Sequence, residues 1–132
     1  MDPFFHALFQ KSRYITNGLN ETLKQHNLYS SQWTIIYCLH VHGPMTLTQI
    51  WKYLNVEAPS ITRAVTRLET LEWLERVDGE DKREKIVKLS AFAEKKFPEI
   101  KKTIVAFEEE MVGSLTYEEQ QQFMNLLGKM KG

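Results

Sequence analysis

The chain has 132 residues and a formal net charge of +0 at pH 7, with 42% hydrophobic and 26% charged residues. These values are typical of one globular domain that buries a core without disulfide bonds or a structural metal. They provide no net attraction to nucleic acid or to a membrane, although a neutral total can still contain a separate basic face. No uncharged apolar run approaches the ~18 residues of a membrane span, and the N-terminus lacks the basic region of a signal peptide. The single cysteine, Cys38, excludes an internal disulfide and favours the reducing cytoplasm.

Two helices are predicted in the N-terminal part of the chain. Asp2, followed by a proline, is expected to cap a helix that continues to about Lys24. Ser30 or Ser31 is expected to cap a second helix, which ends at Gly43.

The next two helices are predicted to form a helix-turn-helix. Thr46 and Gln49 have the spacing of a capping box at the start of a short helix, and Asn55 suits its left-handed end. The following helix, at residues 58–73, has a buried apolar face and a polar, basic outer face. The predicted outer residues are Thr62, Arg63, Thr66 and Arg67. Two helices joined by a short turn, with such a face on the second, are typical of DNA-binding proteins.

A β-hairpin is predicted immediately after this helix pair. "WLERV" reads as a strand, "DGED" supplies turn residues, and "KIVKL" alternates as the returning strand. A hairpin in this position is the wing of a winged helix-turn-helix. The predicted fold is therefore mainly α with a small β-hairpin wing.

Two further helices are predicted after Ser90. Apolar residues at alternating spacings of three and four form a narrow seam that suits packing against another helix, namely Phe97, Ile100, Ile104, Phe107 and Met111. Pro98 is expected to kink or restart the first of these helices. Thr116 and Glu119 form a second capping box before the last helix.

These motifs resemble the MarR-type (multiple antibiotic resistance regulator) transcription regulator family over nearly the whole chain. "DKREKIVKLS" resembles the family's wing, and "SITRAVTRLETLEWLERV" resembles its recognition helix and following strand. Trp73 is interpreted as replacing a glycine that is common just after the recognition helix. The resemblance implies one domain over residues 1–132. Its expected parts are a DNA-binding lobe at 28–90 and dimerisation helices at 1–26 and 91–132.

The predicted DNA contacts lie on the recognition helix and the wing. Ser60, Thr62, Arg63 and Thr66 are expected to face the major groove, where Arg63 could contact a guanine or clamp a phosphate. Arg67 is expected to contact phosphate. Basic and acidic residues are equally numerous in residues 63–88, so binding requires the acids to lie behind the contact surface.

The wing is expected to reach the minor groove, whose negative potential attracts arginine. Arg83 is the predicted reader, and Lys82 and Lys85 are predicted phosphate contacts. Asp81 is predicted to orient the wing by accepting hydrogen bonds.

The aromatic first helix and the last two helices are expected to form a two-fold dimer interface. The alternative is that they complete the core of a monomer. The resemblance also implies a possible small aromatic or anionic effector. Tyr14, Trp33, Tyr37 and Trp51 could line its pocket, although such aromatics are usually core residues.

Three other kinds of site are not favoured. Cys38 is interpreted as a buried structural thiol and not as an oxidant sensor. His40 and His42 point in different directions on a helix, which does not favour zinc binding. No motif indicates an enzyme, a cofactor or a metal.

The predicted function is that of a homodimeric DNA-binding transcription regulator, a repressor that reads a pseudo-palindromic operator. The alternative is a winged-helix protein-interaction module that does not bind DNA.

Overall fold

The computed structural model describes residues 1–78 and 83–132. The described residues form six α-helices and a three-stranded antiparallel sheet. In chain order the elements are α1 (Pro3–Leu23), α2 (Ser30–His42), β1 (Met45–Thr46), α3 (Leu47–Leu54), α4 (Ala58–Thr70), β2 (Leu74–Val77), β3 (Ile86–Leu89), α5 (Ala91–Met111) and α6 (Tyr117–Lys129). The predicted fold class, mainly α with a small winged sheet, is confirmed. None of the described helices is long and apolar enough to cross a membrane.

The core lies where α2, α3, α4 and the start of α5 meet the sheet. Its fully buried side chains include Ile35, Ile50, Leu68, Val87 and Ile100. The strand order is β1-β3-β2, so the returning strand of the wing lies in the middle of the sheet. This central position anchors the base of the wing to the helix-turn-helix.

Several predicted helix ends are confirmed. The Asp2 carboxylate accepts a hydrogen bond from the Phe4 amide at 2.8 Å. The Thr46 hydroxyl accepts from the Gln49 amide at 3.0 Å, and the Gln49 side chain accepts from the Thr46 amide at 2.9 Å. Asn55 has the predicted left-handed conformation, with φ 56° and ψ 45°. The capping box of Thr116 and Glu119 is also present.

The prediction that Ser30 or Ser31 caps α2 is wrong, because Tyr29 is the N-cap residue. The Tyr29 amide donates to the Gln32 side chain at 2.9 Å, and the Ser30 amide donates to the Asn20 side chain at 2.7 Å. The Gln32 and Trp33 amides, which a Ser30 cap would serve, donate instead to the Tyr29 carbonyl at 3.0 and 2.9 Å.

Of the two effects expected of Pro98, a restart of the helix is wrong, because α5 continues through it, whereas a kink stays a prediction. Proline removes one helical hydrogen bond, but buried side chains on both sides of it, Phe97 and Ile100, hold the helix in place. The predicted seam of α5 packs against α1. A Cβ atom on Gly18 of α1 would approach the Phe107 ring to 2.9 Å, so glycine allows this close approach.

Candidate nucleic-acid interface

Helix α4 presents one face to the core and the opposite face to solvent. Its buried residues are Ile61, Val65 and Leu68. Because successive residues of an α-helix are rotated by about 100°, Arg63 and Thr66 lie on the side opposite this apolar stripe. Both are exposed. The geometry therefore gives α4 the polar outer face that the sequence predicts.

Local hydrogen bonds shape the first turns of this face. The Arg63 guanidinium donates to the Ser60 hydroxyl at 3.3 Å, and the Thr62 hydroxyl donates to the Ala58 carbonyl at 3.0 Å. Ser60 is half-buried, whereas Thr62 and Arg67 are exposed. Within residues 1–78 and 83–132, neither Arg63 nor Arg67 forms an ion pair. Their charges are therefore not neutralised by a described neighbour.

The two flanks of α4 face different parts of the molecule. Arg67 borders a groove of about 540 Å³ that includes His26 beyond α1 and Lys96 of α5. Glu69 lies on the other flank and forms an ion pair with Lys85, at the base of the wing. Helix α4 is thus bordered by α5 and the segment after α1 on one side and by the wing on the other.

The end of β3 is tied to the end of α4 by one buried serine. The Ser90 hydroxyl donates to the Glu72 carbonyl at 2.7 Å and accepts from the Ala93 amide at 3.0 Å. The Ser90 amide donates to the Trp73 carbonyl at 3.0 Å. Ser90 therefore caps α5, as its predicted place at the start of that helix requires, and also ties the end of β3 to the segment that follows α4.

The left-handed residue after α4 is Glu72, with φ 66°. The interpretation that Trp73 takes the place of the usual glycine is therefore wrong by one residue. Trp73 is instead buried, and its ring contacts the Phe92 ring edge-on, with centroids 4.9 Å apart.

The Lys85 ammonium is paired and partly enclosed, unlike that of a lysine free to contact phosphate. Its side chain is 29% exposed and the paired Glu69 side chain is 26% exposed. This pair was not predicted from the sequence, because the two residues are brought together only when the wing folds against α4. No local pattern in the sequence signals it.

The tip of the wing is only partly described. Arg83 is exposed at the edge of the described hairpin. Asp81 and Lys82 lie outside the described residues, so their roles remain predictions.

The acids near α4 and the wing are distributed over several surfaces. Glu69 is held by Lys85, and Glu75 lies 4.0 Å from Lys88 across the β2–β3 pair. Asp78 and Glu84 are exposed near the described wing. Two of the acids are thus held by lysines and kept off the outer face of α4.

Two of the four aromatic residues predicted for an effector pocket, Trp33 and Tyr14, line different grooves in the described part of the structure. Trp33 lines a groove of about 840 Å³ between α1, α2 and α5, and Tyr14 lines another of about 570 Å³ between α1 and α5. Tyr37 borders neither groove, although its ring lies 6.2 Å from that of Trp33. Trp51 is half-buried against the core. An effector remains a prediction.

Cys38 is buried, and burial raises the pKa of its thiol. The thiol donates a weak hydrogen bond to the Met45 sulfur at 3.3 Å. A thiol in this state is a poor nucleophile.

His40 stacks on the Phe97 ring and His42 contacts Tyr53. In the part of the chain that the structure describes, no cluster of three or more histidine, cysteine or acidic side chains could hold a metal.

The helix-turn-helix, the anchored hairpin and the polar outer face of α4 define a winged helix-turn-helix protein. The MarR family model matches residues 28–85. A Bacillus subtilis (strain 168) protein, the uncharacterized HTH-type transcriptional regulator YwoH, is 48% identical over 121 residues, which cover 92% of this chain and 88% of that protein. The chain belongs to the MarR family and is a MarR-family transcriptional regulator.

Solved structures share the same fold at lower identity. A mutant MarR from E. coli complexed with operator DNA matches with a TM-score of 0.90 and 23% identity, covering 97% of this chain and 93% of that one. The apo form of wild-type E. coli MarR matches with a TM-score of 0.79 and the same identity, covering 98% and 96%. A MarR regulator from Methanosarcina mazei Go1 matches with a TM-score of 0.86 and 19% identity, covering 97% and 93%.

Proposed function

We propose that this regulator binds double-stranded DNA as a homodimer, reads a pseudo-palindromic operator and acts as a repressor. The observation that carries the proposal is the outer face of α4, where Arg63 and Arg67 are exposed and form no described ion pair. A B-DNA major groove admits one α-helix, and its base edges are read by arginine and by short polar side chains.

The positions on α4 suggest a division of roles. Arg63 lies opposite the buried stripe and would enter the groove most deeply, with Thr62 and Thr66 beside it. Arg67 lies on a flank, where a phosphate is nearer than a base edge. Ser60 orients the Arg63 guanidinium through the hydrogen bond between them.

The wing would contact the adjacent minor groove. Arg83 is the proposed minor-groove residue, because the electronegative groove attracts arginine. Lys82 remains a predicted phosphate contact, and Asp81 a predicted orienting residue.

Dimerisation is supported by apolar surface that the single chain leaves uncovered. Helix α6 contains no buried residue, and α1 buries only Leu23. The exposed apolar side chains of these helices include Phe4, Phe5, Phe9, Phe123, Leu126 and Leu127. Many large apolar side chains left exposed on the same helices indicate an interaction site. A two-fold dimer would cover it and place two copies of α4 about 34 Å apart, one turn of DNA.

The experiment that tests the proposal is selection of bound duplexes from a random DNA pool, using the full chain. We expect a pseudo-palindromic consensus, bound with an affinity that falls steeply as salt rises. A reporter gene with this consensus over its promoter should be repressed. Recovery of no consensus, or binding without a salt dependence, would favour the protein-interaction module.

A further inference from the structure

We propose that the ion pair between Glu69 and Lys85 sets the position of the wing relative to the recognition helix. In this view both are positioning residues for DNA binding, and Lys85 does not contact phosphate. The inference rests on the proposed function, because it concerns how the same surface meets DNA.

Lys85 joins three elements at the base of the wing. Its carbonyl accepts a hydrogen bond at 3.2 Å from the amide of Leu47, which is the first residue of α3. Its ammonium pairs with Glu69 near the end of α4. The residue that leads from the wing into β3 is therefore held by the backbone of one helix and by a side chain of the next.

This junction lies close to the residue that is proposed to enter the minor groove. Arg83 stands two positions before Lys85 on the same limb of the hairpin. A change in how Lys85 is held would therefore be transmitted through one intervening residue to Arg83. The second link between wing and α4, at Ser90, lies at the opposite end of β3 from Lys85.

The charges around Lys85 argue against a phosphate contact. Its ammonium is largely removed from solvent and faces a carboxylate that is equally enclosed. A phosphate that approached Lys85 would meet the negative charge of Glu69 at close range. Forming the contact would require the ion pair to break and would leave a half-buried carboxylate without its partner.

The chain offers a matched control in the same hairpin. Glu75 and Lys88 form a second ion pair, 4.0 Å apart, whose side chains are 54% and 50% exposed. This pair joins β2 to β3 and does not involve α4. Changing it removes the same charges without disturbing the link between wing and helix.

The test compares the affinities of full-length variants for the duplex recovered by selection, over a range of salt concentrations. We expect Glu69→Gln and Lys85→Met each to weaken binding about tenfold, a size typical of coupled pairs. The salt slope should fall by the same amount in both variants, because both lose the cationic contacts of the wing. Exchange of the two charges, in Glu69→Lys with Lys85→Glu, should restore affinity to within about threefold of the wild type. Glu75→Gln and Lys88→Met should change affinity less than twofold.

Footprinting distinguishes positioning from a general loss of stability. In Glu69→Gln, protection of the minor groove by the wing should be lost while protection of the major groove by α4 remains. A variant that is merely less stable would lose both together.

The opposite results would overturn the inference. If Lys85 contacted phosphate, Lys85→Met alone would lower the salt slope, by about one unit, Glu69→Gln would strengthen binding by releasing the lysine, and the exchange would abolish binding. A folded exchange variant that fails to bind also contradicts the inference. If the wild type binds no selected duplex, it is the proposed function that fails.

Discussion

Arg63 and Arg67 carry the same charge but stand at different angles on α4. Arg63 faces directly away from the buried stripe and donates to Ser60, which limits its rotamers. Arg67 lies at the edge of a groove beside α5. The two residues are therefore expected to differ in what they contribute to binding.

Arg63→Ala is expected to weaken operator binding by about 1–3 kcal/mol and to relax the sequence preference at one position, as loss of a base contact does. Arg67→Ala should weaken binding to all sequences alike and reduce the salt slope by about one unit. Binding titrations against the selected duplex and single-base variants measure both effects. Arg13→Ala, which removes one exposed charge from α1, is the control. Equal loss of sequence preference in all three variants would contradict the assignment.

Glu72 shows how a single backbone angle is determined by its surroundings. Its φ of 66° costs about 1–2 kcal/mol for a residue with a Cβ atom. The conformation persists because neighbours on both sides are fixed. The Trp73 amide donates to the Leu68 carbonyl, and the Glu72 carbonyl accepts from Ser90.

Glu72→Gly is therefore expected to raise the free energy of unfolding by roughly 1 kcal/mol, because glycine adopts this conformation without a steric penalty. Glu72→Ala removes the same charge but keeps the Cβ atom, so it is the matched control. Denaturant unfolding at one protein concentration measures the difference. The explanation is wrong if the two variants are equally stable.

Ser90 connects strand β3 with helix α5 and with the segment that follows α4. It is 6% exposed, and its hydroxyl both caps α5 and satisfies the carbonyl at the end of α4. The family-like ending of the wing, Val87, Leu89 and Ser90, is thus a structural anchor. Two apolar residues hold β3 on the core, and the serine fixes the start of α5.

Ser90→Ala is expected to lower the free energy of unfolding by about 1–2 kcal/mol, through loss of the cap and of the partner of a carbonyl. Thermal or denaturant unfolding followed by circular dichroism measures the change. Ser31→Ala removes an exposed hydroxyl that caps no helix and should stay within about 0.5 kcal/mol of the wild type. Equal effects at the two serines would show that the anchor contributes nothing.

The elements that could be predicted are those fixed by neighbouring residues. The capping boxes at Thr46 and Thr116 and the left-handed Asn55 depend on side chains within one turn, and all three are confirmed. The continuity of α5 through Pro98 depends on burial, and the capping of Ser30 by Asn20 depends on a different helix. Such tertiary contacts override local preference, and a single sequence does not display them.

The candidate site also has one part that the sequence predicts and one part that it does not. The outer face of α4 follows from helical periodicity, so its residues could be selected from the sequence. The pairing of Glu69 with Lys85 follows from the folding of the wing against α4, and the sequence shows only two charges among many.

Large apolar side chains of α1 and α6 remain exposed to solvent in the single chain. Phe123 and Leu126 of α6 are 52% and 62% exposed. The last helix therefore does not complete the core of the single chain, as the monomer alternative required.

Leu126→Glu is expected to shift the protein from dimer to monomer at micromolar concentration, because it places a charge in the proposed apolar interface. Light scattering measures the mass. Gln121→Glu adds the same charge to the opposite face of α6 and should leave the dimer intact. A monomeric wild type, or an unchanged mass for Leu126→Glu, would refute the proposed assembly.

The isolation of α6 has a consequence for how the protein responds to its own abundance. A helix of 13 residues without a single buried residue is near the lower length limit for stability in water. Its helicity should therefore depend on association and fall on dilution. The folding of α6 is then linked to subunit exchange. Both are linked in turn to the occupancy of the operator. Occupancy would rise with a steeper than hyperbolic dependence on total chain, so that a modest change in synthesis produces a sharper change in transcription.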